Sequence, residues 1–305
     1  MSAIIETAPA VLPASAELNK DTYKGKIHPD WCPGCGDFSV LSALQTALFE
    51  LGLKPHQVLV ISGIGCSSNL PGFINTYGMH TLHGRSLAVA TGAKLGNHDL
   101  KVIATGGDGD GFGIGGNHFM HTMRRNVDLT YIVMDNQIYG LTTGQTSPTS
   151  RKGMKTKSTP YGNVENPINP IPLAIVGGAT YVARGFSGKQ KHLVELLKGA
   201  IMHKGFAFVD VFSPCVTYNK DNTYQFFNPR VKPLEEQNHD SSDAVKAMAR
   251  GYEWGEEIPI GLFYKRTDLP SLEELEPVLD EGGPLAFRPL GISQEQSKAL
   301  IQELL

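Results

Sequence analysis

Asp108 and Asn136, together with four thiols at Cys32, Cys35, Cys66 and Cys215, have the types and spacing in this chain that can do chemistry. Asp108 follows Lys101–Thr105, a short apolar run suited to a buried parallel strand. Seven of the eleven residues from Gly106 to Gly116 are glycine, and Gly115–Arg125 has helical spacing. A second apolar strand, Leu129–Met134, ends in Asp135-Asn136. A glycine loop that opens a helix turns backbone N–H groups and a positive dipole end toward an anion, usually a phosphate. Asp108 would repel a diphosphate there unless a divalent cation lay between them. Asn136 offers that cation an amide oxygen. Two side-chain oxygens, a nearby backbone carbonyl, two phosphate oxygens and a water complete an octahedral Mg²⁺ shell.

Two other readings stay open on these residues alone. Gly111-x-Gly113-x-x-Gly116 fits the dinucleotide fingerprint, with Asp135 about where a ribose-binding acid would sit. Against it, Asp108 and Asp110 stand between strand and glycines, where a metal-free pyrophosphate is disfavoured. A purely structural glycine loop is the other. An EF-hand fails, because the position that needs Glu is Phe119.

Cys32 and Cys35 form a CxxC that opens a helix, while Cys66 and Cys215 each follow a predicted strand within a few residues, as Asp108 does. Ligands of an open parallel sheet gather outside the carboxyl ends of its strands. Cys66, Cys215 and the glycine loop are therefore expected at one sheet edge, with the CxxC loop joining them. Four thiolates suit tetrahedral zinc or a cubane [4Fe–4S] cluster. Structural zinc favours local CxxC pairs, whereas Cys66 and Cys215 are isolated. A thioredoxin-type reading of Trp31-Cys32-Pro33-Gly34-Cys35 requires a preceding strand, and a loop precedes it here. The bland alternative makes Cys66 and Cys215 small buried hydrophobes.

The elements that must position these groups alternate. A helix is expected over Phe38–Leu51, apolar at Phe38, Leu41, Leu44, Leu48 and Leu51 and stopped by Gly52. Strand Val58–Ile61, a loop over 70–83 and a helix over Arg85–Leu95 precede the glycine unit. Leu141–Asn169 is a long loop rich in Thr, Ser, Pro and Lys, and loops of that length in compact domains are usually functional. Ile171–Gly177, Thr180–Ala183, helix His192–His203 and strand Phe206–Phe212 continue the pattern. Beyond residue 220 the alternation lapses among seven prolines, with one helical stretch near 241–251. The expectation is an α/β fold, a parallel sheet with helices on both faces. It occupies residues 23–220, after a flexible tail at 1–22 and before an irregular extension at 221–305 that wraps or caps.

A composition of 41% hydrophobic and 19% charged residues is globular, and a net charge of −3 gives no reason to expect nucleic acid or an acidic membrane as partner. No apolar run approaches the roughly 18 residues of a membrane span. The N-terminus lacks the basic region and continuous apolar core of a signal peptide. A cytoplasmic, reducing setting is expected, where four cysteines suggest metal or redox chemistry before disulfides.

Gly107-Asp108-Gly109, twenty-six residues, then Asn136 resembles the thiamine diphosphate (TPP) motif. That resemblance implies Mg²⁺ held by Asp108, Asn136 and the Ile138 carbonyl; the common second Asn is Gln137 here. Adding WCPGCG at 31–36, GIGCSS at 63–68 and the late Cys215, the chain resembles the β subunit of a 2-oxoacid:ferredoxin oxidoreductase over about residues 25–290. The family implies the diphosphate-binding domain of the TPP fold. It also implies a [4Fe–4S] cluster on Cys32, Cys35, Cys66 and Cys215. TPP contacts would come from Ile64, Gly65, Cys66, Ser67, His83, Gly109, Asp110, Gly140 and Leu141. The implied reaction is oxidative decarboxylation of a 2-oxoacid, with electrons passed to ferredoxin and the acyl group to coenzyme A, reversible toward CO₂ fixation. No second α/β domain is legible. The activating Glu is therefore expected on an α subunit that bears the pyrimidine-binding domain, in an (αβ)₂ assembly, and this chain alone is expected to be inactive.

Within the resemblance, Tyr139-Gly140-Leu141-Thr142-Thr143-Gly144-Gln145 is closer to enzymes acting on 2-oxoglutarate than to dedicated pyruvate enzymes. A pyruvate or broad-range enzyme, or a non-redox TPP enzyme with structural zinc, is the alternative. A distal carboxylate wants a basic partner; Asn69 stands where some relatives have Lys, so that partner is expected elsewhere. His83 has a functional case only through the resemblance. His118 and His121 have HxxH spacing without a Glu or third ligand, which suits helix packing or capping, and Arg124-Arg125 suits a helix C-terminus.

Overall fold

The computed structural model describes residues 18–289 and 291–304. The tail expected over 1–22 lies outside the described residues up to position 17. Just after it, Tyr23 is buried, and its hydroxyl donates to the carbonyls of Leu48 and Leu53.

Along the chain come α1 (Asp37–Glu50), β1 (Val58–Ser62), α2 (Leu70–Phe73), β2 (Tyr77–His80), α3 (Ser86–Gly96) and β3 (Lys101–Gly107). Then follow α4 (Gly116–Arg124), β4 (Thr130–Asp135), α5 (Pro170–Val176), β5 (Tyr181–Phe186), α6 (Gln190–Met202) and β6 (Ala207–Phe212). The extension adds α7 (Tyr224–Phe227), β7 (Val231–Pro233), α8 (Ala244–Gly251) and β8 (Ile258–Lys265). The sheet runs β2-β1-β3-β4-β6-β5-β8-β7. Its first six strands are mutually parallel; β8 is antiparallel to β5 and parallel to β7.

Both sheet faces are covered, which is why the central strands read as unbroken apolar runs. On one face Ile103, Ile132, Met134 and Val209 pack with Leu44 and Leu48 of α1 and Leu193 and Leu197 of α6. On the other, Val102, Ala104, Tyr131 and Val133 pack with Phe119 and Met123 of α4 and Ile171 and Ile175 of α5. Residues of β3 and β4 thus alternate between two cores at the period of the pleat.

The extension is more ordered than its prolines suggest. β8 continues the sheet beyond β5, and Ile258 and Ile260 join Phe186, Phe212, Phe227 and Val231 in a third apolar cluster. Pro259 and Gly261 hid this strand from its sequence, because both are poor residues for a central strand. A four-residue strand, β2, was also not foreseen in the 70–83 loop. It pairs with β1, forms the sheet's other edge, and all four of its residues are exposed.

His203 closes α6 and is buried, with Nε2 2.8 Å from the Thr180 hydroxyl. Burial, aided by Lys265, lowers its pKa from 6.5 to about 4. The folded chain keeps it neutral while the unfolded chain protonates it. Its contribution is therefore full above pH 6.5 and is lost as pH falls toward 4. Urea unfolding of wild type and His203→Gln across that window should show wild type losing about 2 kcal/mol relative to the variant. Parallel pH curves would exclude this.

Candidate functional site

The four central parallel strands deliver the candidate residues to one edge. β1 runs into the Gly63–Asn69 turn, β3 into Asp108, β4 into Asn136 and β6 into Cys215. The expected convergence at the carboxyl ends of these strands is what the structure has.

Gly109–Ile114 winds as one wide π-type turn, closed by Gly115 N–H donating to the Asp110 carbonyl at 3.1 Å. The glycines are needed for more than an anion cradle. A Cβ on Gly109 would lie 2.1 Å from the Tyr139 ring, and one on Gly111 would lie 2.1 Å from the Tyr131 hydroxyl oxygen. The loop is thin because two tyrosines press on it. Tyr139 also donates its hydroxyl to the Gly109 carbonyl at 3.0 Å, tying the turn after β4 to the loop after β3.

Asp110 organises the cofactor-side candidates. Its Oδ1 accepts from Ile64 N–H (2.9 Å) and Gly84 N–H (2.7 Å) and lies 2.8 Å from His83 Nδ1. Asp110 is buried and its Oδ2 has no hydrogen-bond partner among the described residues, while His83 stays partly exposed. The carboxylate thus fixes the Ile64 backbone and the imidazole in one arrangement.

Asp108 is also buried, and burial pushes its carboxyl up to about 6. Hydroxyl bonds oppose that rise: Ser147 Oγ and Thr149 Oγ1 both donate to Asp108 Oδ2 at 2.5 Å. Thr149 Oγ1 also reaches Asp135 Oδ1 at 3.1 Å. Burial and the neighbouring charges of Asp108 and Asp210 hold the Asp135 carboxyl well above the usual carboxylate range. Arg184 is spoken for by Asp210, at 3.0 Å. The Asp108 corner therefore holds crowded, desolvated carboxyls, with the Asn136 backbone N–H bonded to Asp108 and Asn136 Oδ1 accepting from Ile138 N–H at 3.0 Å on the adjoining turn. That donor set fits a hard divalent cation, whose charge would relieve the crowding.

The four cysteines line one cavity of about 240 Å³, together with Trp31, Asn69, Asn136, Gly140 and Leu141. Pro33-Gly34 turns the CxxC, with Gly34 at φ +84° and Cys35 N–H donating to the Cys32 carbonyl at 2.9 Å. Trp31 Nε1 donates to the Cys66 carbonyl at 2.7 Å. Gly36 N–H donates to the Pro214 carbonyl at 3.2 Å, so close that a Cβ on Gly36 would lie 2.7 Å from Ser213 Cα. Ser213 Oγ donates to buried Asp37 at 2.6 Å. Burial, Asp37 and the neighbouring thiols push the Cys66 thiol up to about 11, and burial drives Cys35 higher still. Such thiols ionise only beside a compensating cation, and α1 begins at Asp37 with its positive end beside them. The donor chemistry fits a cationic iron or zinc group. Among the described residues, no three His, Cys, Asp or Glu side chains gather around a single ion position.

The two sites share a wall at Gly140. A Cβ placed there would lie 3.5 Å from Cys215 Sγ, 3.8 Å from Cys66 Sγ and 3.9 Å from Asn136 Nδ2. A larger cavity, about 600 Å³, lies past Gln137 and is walled by Phe226, Tyr252 and Trp254; no cysteine lines it. His118 and His121 stay apart from both sites, against Arg85 (2.6 Å) and Arg124 (2.8 Å) respectively.

Sequence reasoning missed Ser147, Thr149, Asp37 and Ser213. The Ser/Thr content of the Leu141–Asn169 loop marked it as functional but singled out no hydroxyl.

Comparison with known proteins agrees with this geometry. The family model of the thiamine pyrophosphate enzyme C-terminal TPP-binding domain matches residues 63–211. The model of the C-terminal part of the pyruvate ferredoxin oxidoreductase β subunit matches 215–281. The chain is 46% identical over 294 residues to the 2-oxoacid:ferredoxin oxidoreductase 1 β subunit of Aeropyrum pernix, covering 92% of each chain. It is 46% identical over 205 residues to the 2-oxoglutarate synthase subunit KorB of Methanocaldococcus jannaschii, covering 67% of this chain and 74% of that one. Among solved structures, the 2-oxoglutarate:ferredoxin oxidoreductase of Magnetococcus marinus, with 2-oxoglutarate, coenzyme A and succinyl-CoA bound, aligns with a TM-score of 0.84. The identity is 45%, over 96% of this chain and 99% of that one. The chain belongs to the β subunits of the 2-oxoacid:ferredoxin oxidoreductases.

Proposed function

We propose that this chain is the TPP-, Mg²⁺- and [4Fe–4S]-carrying subunit of an enzyme that oxidatively decarboxylates a 2-oxoacid, with 2-oxoglutarate the preferred substrate. Coenzyme A takes the acyl group and ferredoxin takes the electrons, and the reaction can run toward CO₂ fixation. The observation that carries the proposal is the wall at Gly140, where two of the four cysteines meet the Asn136 end of the glycine-loop site.

Asp108, Asn136 and the Ile138 carbonyl would hold Mg²⁺ against a diphosphate, with Ser147 and Thr149 fixing the carboxylate. Gly109, Asp110, Gly140 and Leu141, the Ile64–Ser67 turn and His83 would line the rest of the cofactor. When bound, TPP supplies the electron sink for decarboxylation, and an iron–sulfur cluster supplies a one-electron acceptor. Cys32, Cys35, Cys66 and Cys215 would hold the cluster. Two of the four come from isolated strand ends and not from a second CxxC pair, which suits an iron–sulfur cluster better than one structural zinc. The partner is an α subunit that bears the pyrimidine-binding domain and the activating Glu, in an (αβ)₂ complex, so this chain alone is inactive. Four free thiols fit a reducing cytoplasm.

Preference for 2-oxoglutarate is supported by the names of the Methanocaldococcus and Magnetococcus proteins and by the Tyr139–Gln145 segment. A broad 2-oxoacid range is the second reading, supported by the name of the Aeropyrum relative.

The test is iron, acid-labile sulfide and zinc per chain, on the αβ complex purified without oxygen. About four iron and four sulfide are expected, with a brown absorption that bleaches on adding 2-oxoglutarate and coenzyme A, and more slowly with pyruvate. Stoichiometric zinc without iron would sink the electron-transfer role.

A further inference from the structure

We propose that Asn219 and Asn222 are positioning residues that make the metal-holding turn at Asn136–Ile138 depend on the cluster at Cys215. This rests on the functional reading above and goes beyond it, because it couples two cofactor sites that otherwise merely adjoin.

The turn needs outside support. Gln137 has φ +57°, a left-handed conformation that a non-glycine residue adopts only when its surroundings impose it. Ser150 Oγ supplies part of that support, donating to the Gln137 carbonyl at 2.6 Å. Gln137 N–H donates to Asp135 Oδ1 at 3.1 Å and Ile138 N–H to Asn136 Oδ1 at 3.0 Å, and further support comes from the segment after β6. Asn219 Nδ2 donates to the Asn136 carbonyl at 2.9 Å, and Asn222 Nδ2 donates to Gln137 Oε1. Both asparagines are buried.

The same segment carries Cys215. Asn219 N–H donates to the Cys215 carbonyl at 3.2 Å, and Asn219 Oδ1 accepts from the N–H groups of Asp221 and Asn222, each at 3.0 Å. The result is one short rigid piece, with a cysteine at one end and two amides gripping the turn at the other. Between them Val216 is only partly buried, and Thr217, Tyr218 and Lys220 are exposed, so this stretch has little apolar anchorage of its own. Ligation of Cys215 would fix the cysteine end, and with it the amides that hold Asn136 and Gln137. Linkage then requires each site to raise the other's affinity by the same factor.

The test uses the αβ complex, prepared without oxygen, with TPP affinity read by protein fluorescence at saturating Mg²⁺. Cys32→Ser removes a cluster ligand at an exposed position and leaves the Cys215 segment unchanged. It should bind TPP about tenfold more weakly than wild type, within the usual range of coupling between sites. Asn222→Ala should lose a similar factor while keeping its iron. Asn222→Asp, which keeps the size but removes the donor, should behave the same way and guards against a folding defect. In the Cys32→Ser/Asn222→Ala double variant the two losses should not multiply, because both break one link. Unchanged affinity in Cys32→Ser, or losses that multiply, would overturn the coupling. A wild-type complex that lacks iron or binds no TPP would instead overturn the functional reading beneath it.

Discussion

Asp108→Ala is expected to weaken TPP binding at least about a hundredfold and to abolish turnover, while the cluster iron is retained. Asp108 is the carboxylate among the proposed cation ligands, so the substitution removes the charge that lets Mg²⁺ sit against a diphosphate. Asp108→Asn separates this loss from a folding defect. Burial lifts the Asp108 carboxyl from 3.8 to about 6, so holding it ionised at neutral pH costs the cofactor-free chain about 3 kcal/mol. An amide of the same size removes that cost. The cofactor-free variant should therefore melt at or above the wild-type temperature while still failing to bind TPP. Wild-type TPP affinity in either variant would remove Asp108 from the metal site.

The second large effect is the converse. Cys35→Ser should lose the brown absorption, the iron and the sulfide, and ferredoxin reduction should fall to background. A serine hydroxyl does not replace a thiolate at neutral pH. Cys35 lies just before Asp37 at the start of α1 and is not itself among the residues proposed to touch TPP, although it shares a cavity with three of them. TPP binding should thus survive in weakened form, reduced about tenfold through the Cys215 segment. Decarboxylation of a single equivalent of 2-oxoacid should remain detectable, because that half of the reaction does not need the cluster. Full iron content in Cys35→Ser would remove this cysteine from the ligand set.

What the sequence disclosed was set by geometry that spacing preserves. Strand–loop–helix–strand from Lys101 to Asn136 places Asp108 and Asn136 on neighbouring strand ends whatever the loops do, and Cys66 and Cys215 arrive by the same rule. Contacts that bind one loop to another left no periodic trace. Ser147 and Thr149 reach Asp108 across about forty residues, and Asn219 reaches Asn136 across eighty-three. Asp37 drew no reading from the sequence, where the helix was expected to begin at Phe38, although its carboxyl is buried against Ser213. β8 was obscured by Pro259 and Gly261, and β2 by its brevity. The glycines drew attention as an anion cradle, while the structure shows several equally required by the rings of Tyr131 and Tyr139.

β2 has a consequence for how the protein must be made. It is a sheet edge, with Tyr77 and Met79 exposed along it and Leu82 and Ile114 exposed nearby. Among the described residues nothing pairs with its outer side, and an open strand edge flanked by apolar side chains is a template for pairing with another copy of itself. A copy synthesised with that edge uncovered would thus have an open seam and a tendency to self-associate. Keeping that edge covered during synthesis is then a condition of solubility.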